Sequence, residues 1–275
     1  MFRPGAIVLV LLLAGCHTQA PEEVIDRGSY QADVSRTALG MDQRIRFVVL
    51  HYTAENDADS LRILTQEAVS AHYLIPSRPD VKRGKPVALQ LVPESRRAWH
   101  AGASFWQGRT NLNDTSLGIE IVNAGPRDDD WAPFSAAQID LVIALLKDVT
   151  ARYNIPPQNV LGHMDVAPGR KKDPGPAFPW RRLAQAGVGA WPDEAAVQRY
   201  QAGRPDDMPV NIARLHQKLA RYGYNIGVNG VNDDASRAAI AAFQMHFRPA
   251  DYRGNADAGS EAIIDALLEK YGGRE

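Results

Sequence analysis

The strongest constraint on the fold is a largely apolar run, IRFVVLHY, from Ile45 to Tyr52. A run of this length and composition is typical of a buried strand. Alternation along the strand places Phe47, Val49 and His51 on one face. The run therefore predicts a core strand that ends at an ionisable side chain, His51.

A second predicted strand carries a carboxylate between apolar neighbours. The turn-rich cluster Asn113–Ser116 leads into LGIEIVN, from Leu117 to Asn123. Successive side chains of a strand point to opposite faces, so Glu120 lies on the face opposite its leucine and isoleucine neighbours. A charged residue in the middle of such a strand is unusual, and this makes Glu120 a candidate catalytic residue.

Helical patterns alternate with these strands and predict an α/β fold. Pro133 to Tyr153 has an apolar stripe at helical spacing, with Ser135 as its N-cap, and should pack on the sheet. The segment Gly162–Pro176 is too rich in glycine and proline for a helix. Shorter predicted elements are a helix at Ser60–Ala71, strand-like runs at His72–Ile75, Val87–Val92 and Asn159–Gly162, and a helix at Trp180–Ala190.

The last quarter of the chain has a different pattern. Polar residues, proline and glycine cluster in QAGRPDDMP, from Gln201 to Pro209, which predicts a domain boundary. Three helical segments follow, with little strand pattern between them: Val210–Tyr222, Ala235–Phe247 and Ser260–Tyr271. They are too small together to be more than an accessory module.

Composition excludes some partners. The 275 residues contain 31 Lys and Arg against 32 Asp and Glu, and 45% of them are hydrophobic. This is enough for one large domain or two unequal ones. A chain without a basic excess has no electrostatic footprint for nucleic acid. We therefore expect no nucleic-acid partner.

The N-terminus has the pattern of an exported protein. The apolar run Ala6–Ala14 has the length of a signal-peptide core and is too short to span a bilayer. It ends in LAGC, which resembles the bacterial lipobox and implies cleavage after residue 15 and acylation of Cys16, the single cysteine. A histidine at position 17, instead of aspartate, implies the outer membrane. We expect a signal peptide over 1–15 and a polar tether over 16–31, with the rest in the periplasm of a Gram-negative bacterium.

Three residues form a possible metal-ligand set. His51 ends a strand, His163 follows another, and Asp173 lies in the glycine-rich and proline-rich segment beyond it. Two imidazoles and a carboxylate are a donor set typical of catalytic zinc, which usually leaves a fourth position to water. One histidine alone would mean little, because most lone histidines are core or surface residues.

Five motifs together resemble the zinc-dependent N-acetylmuramoyl-L-alanine amidases of the type 2 family. They are VVLHYTA (48–54), SAHYLI (70–75), AWHAG (98–102), LNDTSLGIEIVN (112–123) and GHMDVAPGRKKDPGPAFPW (162–180). They cover most of residues 30–192 in the expected order. The resemblance implies the fold shared with peptidoglycan recognition proteins, a mixed central sheet flanked by helices. With the lipobox, the likeness extends to the outer-membrane lipoprotein members.

The resemblance also implies roles for individual residues. His51, His163 and Asp173 become the ligands of one Zn²⁺ per chain. Glu120 becomes the general base and Lys171 the group that stabilises the oxyanion. The bond cleaved would be the amide between N-acetylmuramic acid and L-alanine of peptidoglycan or (anhydro)muropeptides, in cell-wall turnover.

Strand geometry predicts different environments for the adjacent lysines Lys171 and Lys172. If residues 170–173 are extended, alternation turns Lys171 to the side of Asp173 and Lys172 to the other side. We therefore expect Lys171 to face the metal and Lys172 to be solvated.

Further residues of the motifs are candidates for the substrate groove, each with a plainer structural alternative: His72, Trp99, His100, Asn113 and Arg170. For His72 the alternative is a structural role beneath the site, and for Asn113 it is a role in a turn. For Arg170 it is a solvated side chain instead of a contact with a peptide carboxylate.

The C-terminal segment resembles a three-helix peptidoglycan-binding domain. The matching residues are Leu215–Leu219, Gly223-Tyr224 and Ala239–Gln244, whereas Gly227–Val231 departs from the usual turn of that domain. The expected division is a catalytic domain over 32–200 and a binding domain over 201–275. We expect the protein to be a monomer. We also expect that a shortened chain ending near residue 200 still cleaves soluble muropeptides.

Two other function classes remain open. A non-catalytic peptidoglycan receptor would use the same groove, but such family members usually lack a metal ligand, whereas Asp173 is present. An unrelated zinc peptidase is disfavoured because the sequence has no H-E-x-x-H motif.

Overall fold

The computed structural model describes residues 23–128 and 130–272. The chain divides into two compact units, one ending at Asp42 and one beginning at Gln43. Within the first, β1 (Val24–Asp26) pairs antiparallel with β2 (Gln31–Asp33), so the later part of the expected tether contains a strand. The expected signal peptide, the lipobox and Cys16 lie outside the described residues. No helix in the described ranges has the length and apolar character needed to cross a membrane.

A five-stranded mixed sheet forms the centre of the second unit. Its strand order is β13-β3-β10-β4-β7, with four parallel strands and β7 antiparallel at the edge. The sheet strands are β3 (Phe47–Tyr52), β4 (Tyr73–Ile75), β7 (Leu89–Gln90), β10 (Ser116–Ile121) and β13 (Val160–Gly162). Short hairpins pair β5 (Val81–Lys82) with β6 (Lys85–Pro86), β8 (Phe105–Trp106) with β9 (Arg109–Thr110), and β11 (Pro126–Arg127) with β12 (Asp130–Trp131). The predicted mixed sheet is confirmed.

Helices follow the sequence pattern with some corrections to their ends. They are α1 (Asp57–Gln66), α2 (Ala136–Tyr153), α3 (His163–Val166), α4 (Trp180–Gln185), α5 (Glu194–Gln201), α6 (Ile212–Tyr222), α7 (Asp234–Phe247) and α8 (Ala258–Tyr271). The Ser135 hydroxyl caps α2, as predicted. The predicted Trp180–Ala190 helix is too long, because Gly187 has a left-handed φ of 86° just beyond the end of α4.

Two further corrections concern α1 and α3. α1 begins before the predicted Ser60, because the Asn56 side chain accepts from the Asp59 N–H, and it ends at Gln66. The segment Gly162–Pro176 was predicted to contain no helix, yet α3 occupies His163–Val166. The Asp165 carboxylate accepts from the Gly162 N–H at 2.7 Å and holds this single turn at its start.

The C-terminal helices share one hydrophobic core with the sheet. This core runs from Phe47 and Leu50 of β3 to Leu215 of α6 and Phe243 of α7. Trp106, which is fully buried, packs edge-on against Tyr222 and Tyr224. The shared core continues across the boundary predicted at Gln201–Pro209. The division into a catalytic domain over 32–200 and a binding domain over 201–275 stays a prediction.

Candidate metal centre

The parallel strands bring three side chains to one edge of the sheet. His51 lies near the end of β3, and His163 directly follows β13, which pairs with β3. Asp173 lies in the loop after α3, whose Met164 N–H donates to the Asp173 carbonyl at 2.9 Å. The three side chains are buried. Polar groups of different strands meet in this way because the carboxyl ends of parallel strands lie together.

The candidate ligand atoms are very close to one another. His51 Nδ1 lies 2.8 Å from Asp173 Oδ2 and 3.0 Å from His163 Nδ1, and the last two atoms are also 3.0 Å apart. Within the described part of the chain, this group of two histidines and one aspartate could hold a metal ion.

The hydrogen bonds of His163 fix which nitrogen carries the proton. His163 Nε2 lies 3.0 Å from the Ala101 carbonyl oxygen, which can only accept. Arg170 Nη2 also lies 3.3 Å from this nitrogen, but its hydrogens already go to the carbonyls of Ala101 and Ala103. His163 therefore donates from Nε2, which leaves Nδ1, the nitrogen that faces Asp173, for a metal ion.

A longer chain of hydrogen bonds fixes His51 in the same way. The Ser116 hydroxyl donates to the Leu112 carbonyl at 2.6 Å, so its oxygen accepts from His100 Nε2 at 3.3 Å. His100 Nδ1 then accepts from His51 Nε2 at 3.0 Å. As a result, His51 Nδ1 also has a free lone pair. Hydrogen bonding of this kind is how metal-binding histidines are usually oriented.

These proton positions show that the site fits a cation. Two unprotonated ring nitrogens and a carboxylate oxygen lie within 3.0 Å of one another, an arrangement that is repulsive without a positive charge between them. Imidazole and carboxylate are donors that suit zinc, with bond lengths of roughly 2.0–2.2 Å. Donor atoms this close could all reach one ion.

The electrostatics keep the ligands in their binding forms. Burial, together with the neighbouring His163, lowers the pKa of His51 from 6.5 to about 4, so the ring is neutral at neutral pH. Burial would raise the pKa of Asp173, but hydrogen bonds from the His163 and His51 rings lower it, so a proton or a cation between the rings and the carboxylate keeps Asp173 ionised. Metal ligands must be deprotonated, and the lowered pKa values of His51 and Asp173 favour those forms.

Glu120 lies beside the candidate ligand set. In the register of β10 and β3 it lies opposite His51. Its Oε2 atom is buried and has no hydrogen-bond partner among the described residues. Burial and the Asp173 charge raise the pKa of Glu120 well above 4.5, whereas Lys171 opposes the shift. A carboxylate with a raised pKa is suited to accept and return protons.

A cavity of about 470 Å³ opens over these residues. Its lining includes apolar side chains of α1 and the loop after it, and the basic segment Arg170–Lys172. Trp99 also lines the cavity; it is 52% exposed and stacks under the Arg97 guanidinium, 4.1 Å from the ring centroid. The surface suits a substrate with both apolar and anionic groups.

The other groove candidates fall into two groups. His100 and Arg170 line the cavity with Trp99. His72 is buried, accepts from the Gly118 N–H at 2.9 Å and donates to the Arg96 carbonyl at 3.1 Å. These contacts favour a structural role for His72 over a place in the substrate groove.

The loop Ala98–Gly102 is held from two sides. Asn113 Oδ1 accepts from the backbone N–H groups of His100 and Ala101, at 3.1 and 2.8 Å. Arg170 donates to the carbonyl oxygens of Ala101 and Ala103, both at 2.7 Å. The guanidinium is therefore not simply solvated, and it would have to give up these partners to bind a peptide carboxylate. Asn113 and Arg170 thus hold the Ala98–Gly102 loop. The Ala101 carbonyl and the His100 ring of this loop accept from the two candidate ligand histidines, His163 and His51.

Sequence reasoning did not identify Ser116 or the Ala101 carbonyl. A backbone carbonyl leaves no sequence signal. Ser116 did leave a sequence signal, because alternation along β10 places it on the same face as Gly118 and Glu120. Gly118 itself is required there, since an added Cβ would lie 2.4 Å from the His100 ring.

The position of the two lysines corrects one step of the sequence argument. The backbone N–H groups of Arg170 and Lys171 both donate to the Ala167 carbonyl, at 3.2 and 3.0 Å, so this part of the segment is a turn and not an extended strand. Both lysines are exposed and line the cavity. The Lys171 charge acts on both His51 and Glu120.

Comparisons with known proteins agree with this geometry. The N-acetylmuramoyl-L-alanine amidase family matches residues 41–176, and a peptidoglycan binding domain matches residues 210–258. The N-acetylmuramoyl-L-alanine amidase AmiD of Escherichia coli (strain K12) is 50% identical over 270 residues, which cover 97% of each chain.

Two solved structures are also similar. A complex of E. coli AmiD with the substrate anhydro-N-acetylmuramic acid-L-Ala-D-gamma-Glu-L-Lys has a TM-score of 0.86, at 50% identity, and the match covers 90% of this chain and 98% of that chain. AmpDh3 from Pseudomonas aeruginosa, in complex with anhydromuramic pentapeptide, has a TM-score of 0.78 at 44% identity, with the same coverage. The chain therefore belongs to the type 2 family of N-acetylmuramoyl-L-alanine amidases.

Proposed function

We propose that this amidase uses one zinc ion held by His51, His163 and Asp173. The observation that carries the proposal is the convergence of two unprotonated ring nitrogens and a carboxylate oxygen within 3.0 Å. A zinc ion in such a site supplies Lewis acidity, polarising the attacked carbonyl and making a water more acidic.

The protein's own groups would move the protons. Glu120 is partly buried, lies opposite His51 and has a free carboxylate oxygen. It accepts a proton from the attacking water and returns it to the leaving amine of L-alanine. Lys171 supplies a positive charge for the oxygen of the amide as it becomes negative. The products are a free stem peptide and the muramic acid sugar.

The substrates we propose are peptidoglycan and its soluble anhydromuropeptides, in cell-wall recycling. The similar AmiD and AmpDh3 structures contain anhydromuramoyl peptides. The cavity combines Trp99 and apolar side chains with basic residues, which suits a sugar joined to an acidic peptide. The apolar run before Cys16 supports export and a lipid anchor in the outer membrane, with the catalytic unit acting as a monomer in the periplasm.

Removing the metal tests this mechanism. A chelator should abolish release of peptide from anhydromuropeptides, and added zinc should restore it. Asp173→Ala should lose both zinc and activity, whereas Glu120→Gln should keep zinc and lose about 100- to 10,000-fold in kcat. Full turnover by metal-free protein would contradict the zinc mechanism. A zinc-loaded wild type that binds muropeptides without cleaving them would instead support the receptor alternative.

A further inference from the structure

A buried carboxylate, that of Asp165, joins the metal centre to the C-terminal helices. Asp165 is 0% exposed and lies two residues after His163 in α3. Its Oδ1 accepts from the Tyr224 hydroxyl at 2.6 Å. Its Oδ2 accepts from the Gly162 N–H and pairs with His246 Nδ1, both at 2.7 Å. One side chain thus binds the residue before a candidate metal ligand and two residues beyond position 200.

Both distant donors are themselves fixed in place. Tyr224 is 1% exposed, and burial together with Asp165 raises its pKa well above 10, so the phenol keeps its proton and donates. The His246 ring is stacked between Trp180 and Phe247, with centroids 3.7 and 4.0 Å away. Neither donor can move without disturbing the shared core.

The turn that Asp165 holds is buried, with Met164 and Val166 packed in the core, but its own backbone adds little stability. α3 is four residues long, too short to be stable by its own hydrogen bonds. It carries His163 at its first position, and its Met164 N–H binds the backbone of Asp173. Two of the three metal ligands are therefore attached to a turn whose position depends on Asp165.

Losing a donor to Asp165 would leave a buried polar side chain with too few partners. Such a group costs free energy unless the surrounding chain moves to satisfy it. Gly162 leaves little room for movement, because an added Cβ there would lie 2.8 Å from Pro174 and 3.2 Å from Trp180. The available response is a shift of α3, and with it of His163.

We propose that Tyr224 and His246 are positioning residues of the metal centre. Through Asp165 they hold His163 in its binding geometry, so zinc affinity and turnover depend on the segment that resembles a peptidoglycan-binding domain. The inference rests on the proposed zinc function of His163.

The test compares Tyr224→Phe and His246→Phe with a matched control, Tyr200→Phe. Tyr200 also donates from its hydroxyl to a carboxylate of a C-terminal helix, Glu269 at 2.7 Å, but on the surface. Zinc affinity is measured by competition with a chelator in the full chain, along with kcat, KM and the thermal midpoint. Tyr224→Phe and His246→Phe should bind zinc about tenfold more weakly or worse, with a lower kcat and little change in KM. Tyr200→Phe should match the wild type.

A folded Tyr224→Phe variant with wild-type zinc affinity and kcat would overturn the inference, even if its thermal midpoint were lower. Because Tyr224→Phe removes only the hydroxyl oxygen, we expect this variant to fold. It therefore decides the test even if His246→Phe does not fold. Failure of the proposed function gives a different result. A wild type that binds zinc but cleaves no muropeptide refutes the reaction, while the zinc affinities of the variants still test the positioning.

Discussion

At the scale of single residues, the proton positions in the site matter as much as the ligands. The Ala101 carbonyl and the His100 ring accept from His163 and His51, and both belong to one loop, Ala98–Gly102. The loop thereby selects Nδ1 of both rings for the metal. Arg170 and Asn113 act on that loop and not on the metal itself.

The two lysines of the site should differ in their contribution. Lys171 acts electrostatically on His51 and Glu120, and a cation at a developing oxyanion contributes on the order of 3 kcal/mol. We expect Lys171→Ala to lower kcat about 100-fold or more while zinc stays bound, and Lys172→Ala to be close to wild type. Steady-state kinetics with metal analysis checks this. Equal effects of the two substitutions would show that the assignment is wrong.

The candidate ligand set and the candidate base could be proposed from sequence, whereas most of the groups that orient them could not. His51 and Glu120 lie on strands recognisable from apolar runs, and the family motifs add His163 and Asp173. The orienting contacts come from a backbone carbonyl and from residues distant in sequence, such as Ser116. His72 and Asn113 share the motifs of the site residues, but only coordinates show that they support the loop and sheet.

At the scale of elements, a carboxylate joins the last turn of α2 to the edge of the sheet. Glu94, in the loop after β7, accepts from the hydroxyls of Tyr73 and Tyr153 at 2.6 and 2.7 Å. Arg152 donates to both of its oxygens, at 2.6 and 2.8 Å. The Arg152 hydrogen bonds, helped by the two tyrosines, lower the pKa of Glu94 from 4.5 to about 2 against the effect of burial.

This shift predicts a pH-dependent stability. A carboxylate with a lowered pKa stabilises the fold above its unfolded pKa, and the contribution is lost as the pH falls from about 4.5 towards 2. Because Arg152 is partly exposed, we expect Glu94→Gln to lower the free energy of unfolding at pH 7 by about 1–2 kcal/mol. Urea titrations at several pH values check this. A difference from wild type that does not shrink below pH 4.5 would contradict it.

The elements that sequence reasoning missed or misjudged are short or weakly patterned. α2 was predictable because it has an apolar stripe and a capping serine. α5 has a single buried residue, Ala196, and gives little periodic signal. α3 begins with a local cap, in which the Asp165 carboxylate accepts from the Gly162 N–H, and the surrounding glycine and proline residues conceal this signal.

At the scale of the whole molecule, the second unit folds around one core although two family patterns meet within it. A chain ending at residue 200 would uncover Trp106, which is 0% exposed, and Trp180, which is 2% exposed, and would remove both distant partners of Asp165. We therefore expect it to be poorly soluble or to lose activity together with zinc. This replaces the sequence-based expectation of an active fragment.

Solubility, thermal unfolding and muropeptide cleavage check this expectation. A chain ending at residue 272 is the control, because it keeps α8 and the whole described core. A soluble fragment ending at residue 200 with wild-type turnover and midpoint would show that the shared core is dispensable.

The pairing of Glu120 with His51 has a consequence for how the site tolerates change. Hydrogen bonds between β10 and β3 set their spacing, and strand registration changes only in whole residues. A slip by one residue would turn Glu120 to the opposite face, and a slip by two would carry it about 6.6 Å along the sheet. Substitutions among the apolar neighbours would therefore leave this pairing intact, whereas a single insertion inside either strand would separate Glu120 from His51 in one step.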